Sequence, residues 1–309
     1  FFAEHEDPAM LDEHLAFMAS NVKRNTEVSL RWLSKADRRK FVEAQSKEMD
    51  QWVENAVFSI ARRAGVPTDR IMTMRWILTW KDAPECSIAK ARLVIKGFTD
   101  PDLVSIRAEA PTLSKLGRHM LLQMGASHGY HFEVGDVKTA FLQGDRGEAQ
   151  RDVYAQPVPE LQRYLGLTPD QVIRLEGAVY GLRNAPRRWW MRVKRDMEAL
   201  GWRSHQLDQT VFLKLDSKSG DLIGVCGVYV DDFIIGGCWS DPRYAAALAQ
   251  VKALYTFGKW ESGRFTLCGV DYVQDKHGCI RLTQRKYTDG LKPYELPYWC
   301  KDCLLYTSP

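Results

Sequence analysis

Two adjacent aspartates interrupt an apolar run in the last third of the chain. The segment from Leu222 to Gly236 reads LIGVCGVYVDDFIIG and contains Asp231 and Asp232 beyond its midpoint. Charge inside a buried strand is unfavourable unless it is paired or bound to metal. The pattern therefore predicts a strand, a tight turn that carries both carboxylates, and a second strand. Such a tip suits Mg²⁺, which prefers oxygen ligands, although an ordinary Asp-Asp turn between core strands is the alternative.

A third carboxylate stands at the end of another predicted strand. The segment from His131 to Gly144 reads HFEVGDVKTAFLQG, in which Phe132 and Val134 alternate as on a strand and Asp136 follows them. The next residues are typical of a helix or tight turn. Three carboxylates gathered together could hold two metal ions about 3.5–4 Å apart, which stabilise an in-line phosphoryl displacement. For Asp136 alone, a helix N-cap is the alternative.

A mixture of helices and antiparallel hairpins must position these carboxylates. Ser34 and Asp37 form a capping box that predicts a helix to about Val57. Pro186 suits the first turn of another helix, where its missing N–H is not needed. A hairpin is predicted over 71–98, with its turn at Asp82-Ala83-Pro84 and with Lys90, Arg92 and Lys96 on one strand face. Helices are predicted over 113–128 and 242–254, and a strand over 132–136. A strand over 265–273, broken by Gly269, and a turn at Gly236-Gly237 complete the predictions. The pattern predicts an α+β fold.

Both aspartate motifs resemble catalytic motifs of the reverse transcriptase of copia-type retrotransposons. The first is DVKTAFL from Asp136 to Leu142, and the second is the YVDD that ends at Asp232. Other blocks resemble that family in the same order: RWIL at 75–78 with Lys81, KARLVIKGF at 90–98, VY at 153–154 with QP at 156–157, VYGL at 179–182 with APR at 185–187 and Trp189, and LTQ at 282–284 with Tyr287. The resemblance covers about 41–291, and identifies the chain as a fragment of a Pol polyprotein of a copia-type (LTR) element.

The resemblance implies a right-hand polymerase with an antiparallel palm sheet and an incomplete thumb. Its expected divisions are an approach segment at 1–33 and a reverse transcriptase domain at 34–291. Fingers near 40–125 and a palm near 126–260 interleave, and a partial thumb follows at 261–291. The last stretch, 292–309, departs from the family pattern and is a candidate non-native tail. The family also has a Thr-aromatic pair before Pro111, where Glu109 and Ala110 stand here.

The same resemblance assigns catalytic roles. Asp136, Asp231 and Asp232 are the expected catalytic and metal-binding carboxylates, and the backbone carbonyl of Val137 is a further expected ligand. Two Mg²⁺ ions, or Mn²⁺ in their place, would support attack of a primer 3′-hydroxyl on the α-phosphate of a dNTP. Catalysis would then consist mainly of positioning and electrostatic stabilisation.

Substrate and nucleic-acid contacts are also implied, each with a plain alternative. Lys90 and Arg92 would reach the triphosphate, or else bind template backbone or solvent. Phe141 would lie under the incoming sugar and exclude a 2′-hydroxyl, or else be a core residue. Gly181 and Pro186 would line the base and template, although Gly181 could be a plain turn glycine. Tyr229 would pack against the primer end, or else fill the core. The expected nucleic-acid contacts are Arg188, Arg192, Arg195, Leu267 and Gly269.

Composition agrees with a polymerase. The chain has 309 residues, 45% hydrophobic and 27% charged, with a net charge of +4, as in ordinary soluble globular proteins. Basic residues concentrate over 62–96 and 183–195, as contact with phosphate backbones requires, although a solvated helix face is the alternative. No run approaches 18 apolar residues, so no membrane partner is expected. Seven cysteines without a framework pattern indicate a reducing compartment.

The expected partners are an RNA or DNA template with its primer, a dNTP, and the integrase and RNase H portions of the parent polyprotein. The expected location is the cytoplasm, within virus-like particles, or the nucleus. Two other classes stay open: a decayed or domesticated copy that binds nucleic acid without catalysis, and an RNA-copying RNA polymerase on the same palm architecture. Intact aspartate motifs argue against the first, and Phe141 argues against the second.

Overall fold

A computed structural model describes residues 27–81, 87–145 and 151–291. The turn predicted at 82–84, most of the approach segment and the tail at 292–309 lie outside these ranges. The fold is α+β, and its sheets are mainly antiparallel. Among the described residues, no helix has the length and apolar character needed to cross a membrane. The described residues form two compact units that interleave in sequence: unit 1 lies within Phe1–Pro111 and Lys138–Ala199, and unit 2 lies within Thr112–Val137 and Leu200–Pro309.

Helices and strands are numbered in chain order within the described residues. The helices are α1 Lys35–Glu54, α2 Lys115–Ser127, α3 Pro159–Leu165, α4 Ala185–Ala199, α5 Pro242–Leu254 and α6 Arg285–Asp289. The strands are β1 Phe58–Arg62, β2 Ile71–Lys81, β3 Ile88–Ile95, β4 His131–Val137, β5 Tyr154–Gln156, β6 Gln171–Leu175, β7 Trp202–Ser204, β8 Val211–Leu215, β9 Leu222–Tyr229, β10 Asp232–Gly237, β11 Phe257–Ser262, β12 Arg264–Leu267, β13 Val270–Gln274 and β14 Ile280–Thr283.

Unit 1 is built on a five-stranded sheet in the order β1-β6-β5-β2-β3. Helix α1 begins at the predicted capping box, in which Ser34 Oγ accepts from the Asp37 N–H and donates to its carboxylate. The helix ends at Glu54, slightly before the predicted end. Its residues Met49 and Trp52 are buried in a core shared with β2, β3, β5 and β6. Burial of this apolar face supplies most of the stability that a single helix lacks.

A buried carboxylate on α1 covers the free edge of this sheet. Strand β3 is terminal in the sheet order, and exposed strand edges invite unwanted pairing. The Leu93 N–H of β3 donates to Glu48 Oε1 at 3.2 Å, and Trp52 Nε1 donates to the same oxygen at 3.3 Å. Burial raises the pKa of Glu48, even though these hydrogen bonds and the charges of Arg92 and Lys90 lower it.

Glu48→Gln should therefore raise the thermal stability at neutral pH. The pKa of Glu48 is higher in the folded protein than in the unfolded chain. The free energy of unfolding is therefore largest below the unfolded-state pKa, and it falls as the pH rises through the folded-state pKa. Glutamine keeps the accepting oxygen and cannot ionise. The variant should match wild type near pH 4 and exceed its melting temperature at pH 7. The exposed Glu43→Gln on the same helix controls for the charge change. A lower melting temperature for Glu48→Gln at pH 7 would show that attraction to Arg92 and Lys90 outweighs burial.

Unit 2 is built on a six-stranded antiparallel sheet in the order β11-β4-β10-β9-β8-β7 and a three-stranded sheet, β12-β13-β14. Phe132 and Val134 of β4 and Ile234 of β10 are buried with Leu121 of α2. The predicted helices over 113–128 and 242–254 correspond to α2 and α5. The central strands read as near-continuous apolar runs because helices and the second sheet cover them.

Three local predictions were wrong. Gly236 and Gly237 form no turn but end strand β10, where a Cβ would come within 2.4 Å of the Phe132 ring and 2.2 Å of the Tyr244 ring. The predicted strand over 265–273 is a hairpin, β12–β13, whose turn residues Cys268 and Gly269 have φ of 50° and 71°. Positive φ at both positions is typical of a type I′ hairpin turn. Lys96 follows β3 and does not share its strand face.

Candidate active site

The hairpin of β9 and β10 places the aspartate pair at its tip, as predicted. Tyr229 ends β9, Val230 and Asp231 make the two-residue turn, and Asp232 opens β10. Val230 has a φ of 58°, in the left-handed region that β-branched residues rarely occupy. Such a conformation costs about 1–3 kcal/mol and persists only where surrounding structure holds it. The tip is therefore a fixed and strained feature.

Strand β4 brings the third aspartate to the same place. Asp136 lies directly opposite Asp232 in the antiparallel register of β4 and β10. The Val137 N–H donates to the backbone carbonyl of Asp231 at 2.8 Å, which fastens the turn to the end of β4. Asp136 is exposed, whereas Asp231 and Asp232 are half-buried. The three predicted catalytic carboxylates thus gather on two neighbouring strand ends of unit 2.

The electrostatics of this cluster suit a divalent cation. Burial, together with the negative charges of Asp231 and Asp136, raises the pKa of Asp232 to about 7. Neighbouring carboxylates resist simultaneous ionisation until positive charge compensates them. No group of three or more His, Cys, Asp or Glu side chains in the described part of the chain forms a ready-made metal cage. A divalent cation at this position would take one or two of these carboxylates, and waters and substrate phosphates would have to complete its coordination.

A β-bulge that sequence reasoning missed lies beside Asp136. The register of β11 against β4 is irregular between Phe257 and Trp260. At Gly258 a Cβ would lie 3.4 Å from the Asp136 carbonyl oxygen and 3.7 Å from its Oδ2, so this residue stands in van der Waals range of the carboxylate. Bulges are frequent beside active sites. A glycine within the strand pattern of 257–262 was the available signal.

The two basic residues predicted to reach the triphosphate lie on β3 of unit 1. Lys90 and Arg92 alternate with the buried Ala91 and Leu93, which confirms that they share one strand face. Lys90 is exposed and Arg92 is half-buried. Both charges act on Glu48. Their contact with a triphosphate stays a prediction.

Phe141 occupies a 3₁₀ helix, Ala140–Gln143, in unit 1. Its ring is half-buried, packs against the unit 1 core, and lies 5.6 Å from the Tyr180 ring between centroids. Partial exposure leaves one part of the ring available to a ligand, while the packed part contributes to the core. Both alternatives for Phe141 therefore remain open.

Gly181 lets its backbone lie close to the end of strand β3, which belongs to the same unit. It has a φ of 93°, and a Cβ there would lie 2.0 Å from the Ile95 carbonyl oxygen. The Ile95 N–H also donates to Tyr180 at 2.8 Å, so this loop is fastened to the end of β3. Pro186 is the second residue of α4 and is half-buried, as expected for the first turn of a helix.

The three arginines predicted to bind nucleic acid make bonds within unit 1. Arg188 Nε donates to the Asp145 carbonyl at 2.7 Å, and burial lowers the pKa of Arg188. Arg192 donates to the Gln143 carbonyl and, at 3.2 Å, to Asp196. Arg195 bonds to Asp145 at 2.5 Å. These bonds fasten α4 to the segment that follows Phe141, so positioning that segment is one role of the basic stripe.

The remaining predicted contacts lie in unit 2. Tyr229 is 36% exposed, so it does not fill the core. Leu267 is 1% exposed and belongs to the core, which leaves its side chain no access to a nucleic acid. Gly269 is exposed in the β12–β13 turn. Any contact with nucleic acid from this hairpin is therefore expected from the turn.

Comparison with known proteins identifies a family. The family described as "Reverse transcriptase (RNA-dependent DNA polymerase)" matches residues 61–294. The Pol polyprotein from transposon TNT 1-94 of Nicotiana tabacum is 29% identical over 66% of this chain and 15% of its own length. That from transposon RE1 of Arabidopsis thaliana is 32% identical over 70% of this chain and 14% of its own length. A solved foamy viral protease-reverse transcriptase in complex with double-stranded DNA is 11% identical, with a TM-score of 0.41 over 82% of this chain and 38% of that chain.

These relatives are much longer proteins, of which this chain spans about a seventh. The matched region contains both aspartate motifs and the strands that carry them. The chain belongs to the reverse transcriptase family and corresponds to the reverse transcriptase region of copia-type retrotransposon Pol polyproteins.

Proposed function

We propose that this chain extends a primer on an RNA or DNA template by nucleotidyl transfer from dNTPs. The observation that carries the proposal is the pairing of Asp136 with Asp232 across β4 and β10, with Asp231 fastened beside them. Phosphoryl transfer requires positioned oxygen atoms and concentrated charge more than covalent chemistry by the protein. The strained hairpin tip supplies fixed positions for Asp231 and Asp232, and the end of β4 holds Asp136 opposite them.

The donor set fits two Mg²⁺ ions, with Mn²⁺ as a substitute. Asp136, Asp231, Asp232 and the carbonyl of Val137 would hold them. When bound, the ions would activate the primer 3′-hydroxyl and stabilise charge on the α-phosphate and the leaving pyrophosphate. The protein's own contribution is to hold the carboxylates close together, and burial with the neighbouring negative charges raises the pKa of Asp232 to about 7, which a bound cation would oppose.

Primer extension tests the proposal directly. With Mg²⁺, an RNA template and a DNA primer, the 309-residue chain should add dNTPs and discriminate against rNTPs. Binding of primer–template without any extension would instead support a decayed or domesticated copy. Preferential addition of rNTPs would support an RNA polymerase. Leaving out the divalent ion, then adding Mg²⁺ or Mn²⁺, shows whether addition depends on the metal.

Lys90→Ala and Arg92→Ala should raise the KM for dNTP more than they weaken duplex binding. Removing a charged hydrogen bond to a phosphate costs roughly 1.5–3 kcal/mol, which is about tenfold to a hundredfold in KM. Lys40→Ala, on α1 of the same unit and paired with Asp37, is the matched control. Steady-state kinetics and primer–template Kd values are measured for each variant. Loss of duplex affinity with unchanged KM would place that residue on the template path.

The partners and location follow as proposals. We infer that the integrase and RNase H portions of a parent polyprotein accompany this chain, because the polyproteins that it matches extend well beyond the shared region. The flanking genomic sequence tests this, with integrase expected upstream and RNase H downstream. We also propose that this chain acts either within cytoplasmic virus-like particles or in the nucleus. Fractionation of cells that express the element would distinguish the two locations.

A further inference from the structure

The β-bulge in β11 stands opposite Asp136 and has an aromatic ring on each side. In the register of β11 against β4, Phe257 lies opposite Val137. The next pair is Trp260 with Gly135, so two residues of β11 face Asp136 alone. The rings of Phe257 and Trp260 are 4.7 Å apart between centroids, which closes the bulge on one face of the sheet. Bulges redirect nearby side chains, so whatever holds this one also bears on Asp136.

The Trp260 ring fills the space that Gly135 leaves without a side chain. Gly135 is buried, and a Cβ there would come within 2.6 Å of the ring. Glycine inside a strand often marks such a close approach. Because side chains alternate across a strand, Gly135 and Asp136 face opposite sides of the sheet. The ring therefore rests on the backbone immediately before Asp136 and supports β4 from the side opposite its carboxylate.

A charged pair holds the Trp260 ring in turn. Lys252 of α5 places its Nζ 4.8 Å from the centre of the ring and forms an ion pair with Glu133 of β4. Glu133 lies two residues before Gly135 and so on the same face of the strand. A cation over a tryptophan face is attracted more strongly when it is partly removed from water, and the Lys252 side chain is 34% exposed. Helix α5, β4 and β11 are thus joined at one ring.

The ring pair also reaches the strand that carries Asp232. Phe257 packs edge to face on Phe233 of β10, with 5.4 Å between ring centroids. Phe233 is fully buried and directly follows Asp232. Trp260 is consequently in contact with the strand end that carries Asp136, and through Phe257 with the strand end that carries Asp232.

We propose that Trp260 is a positioning residue, which fixes the end of β4 and the adjoining bulge so that the Asp136 carboxylate is held opposite Asp232. The inference rests on the proposed polymerase function. Trp260 acts through Gly135 and the strand on which it packs, without contact with substrate. Misplacement of a reacting group by about 1 Å can cost about a hundredfold in rate, and packed side chains outside a site commonly provide the precision that chemistry needs.

Substitution of the ring tests this role. Trp260→Ala should lower the kcat of primer extension by about tenfold, whereas the KM for dNTP and the primer–template Kd should change little. Trp260→Phe keeps a ring over Gly135 and should recover most of the rate. The matched control is Trp239→Ala, because Trp239 packs on His131 at the other end of β4, with 4.7 Å between ring centroids. This control should lose stability without losing kcat.

The contact between ring and strand can also be measured from the strand. Gly135→Ala should lower kcat in wild type, because the added methyl group must displace the Trp260 ring. In the Trp260→Ala background the ring is gone, so the same methyl group should cause little further loss. The double-mutant cycle isolates this one contact from a general loss of stability. Trp260→Leu replaces Trp260→Ala in both experiments if the alanine variant does not fold.

The outcomes separate this inference from the function on which it rests. A folded wild type that binds primer–template but adds no dNTP would overturn the proposed function, and the role of Trp260 with it. If wild type extends the primer and Trp260→Ala keeps its kcat while its melting temperature falls as in Trp239→Ala, only this inference fails, and Trp260 is structural. Simple addition of the two losses in the cycle would overturn the inference as well.

Discussion

Asp231→Asn should abolish primer extension while the fold stays intact. The side chain stands at the fixed tip of the β9–β10 hairpin beside Asp232 and opposite the end of β4. Loss of about 4 kcal/mol of charge stabilisation corresponds to roughly a thousandfold drop in kcat. The fold should survive because the Val137 N–H bonds to the backbone carbonyl of Asp231, which the substitution keeps. Asparagine also relieves repulsion on Asp232.

Two measurements check this result. Single-turnover extension gives the loss in rate, and the melting temperature with and without Mg²⁺ shows whether the metal stabilises wild type more than the variant. Asp275→Asn is the matched control, since Asp275 accepts backbone N–H groups in the β13–β14 turn of the same unit. Near-normal Mg²⁺-dependent extension by Asp231→Asn would refute the assignment. A large drop in its melting temperature would show instead that the side chain is structural.

The catalytic hairpin could be predicted because local rules agree there. Two aspartates within a β-branched apolar run leave few alternatives to a turn between buried strands. The helix starts at Ser34 and Pro242 were also readable, since capping side chains and proline act within a few residues of themselves. Each of these signals is local, so no knowledge of tertiary packing was needed.

The wrong predictions concern residues whose reasons lie far away in the sequence. Gly236 and Gly237 resemble turn residues, yet they are glycine because the rings of Phe132 and Tyr244 pack on their backbone. The β12–β13 hairpin was read as one strand because a two-residue turn interrupts the apolar alternation only briefly. Its signal was the glycine at 269, which was interpreted as a break within a strand.

The basic stripe of α4 shows a similar limit. Sequence alone reveals three arginines on one helix face, but the groups that bond them, the Gln143 and Asp145 carbonyls and the Asp145 carboxylate, lie about fifty residues earlier. Charge patterning predicts a basic surface and does not reveal how much of it the fold itself uses.

Phe141→Ala should relax selection between deoxyribose and ribose. A ring beneath the incoming sugar would reject a 2′-hydroxyl by steric clash, which discriminates through repulsion. Its removal should lower the dNTP-to-rNTP ratio of kcat/KM by roughly tenfold or more, which is about 1.4 kcal/mol of discrimination. The ring is half-buried beside Tyr180, so some stability should be lost as well. A fully buried phenylalanine would cost about 3–5 kcal/mol, and a half-buried one should cost less.

Phe58→Ala separates the two roles of Phe141. Phe58 is also partly buried against the core of unit 1, where its ring lies 6.4 Å from that of Trp52 between centroids. Its truncation should lower the melting temperature by a similar amount and leave the dNTP-to-rNTP ratio unchanged. If Phe141→Ala behaves in the same way, the ring is only a core residue. If the ratio falls for Phe141→Ala alone, loss of stability cannot be the cause, because the two variants share that loss and differ only in sugar selection.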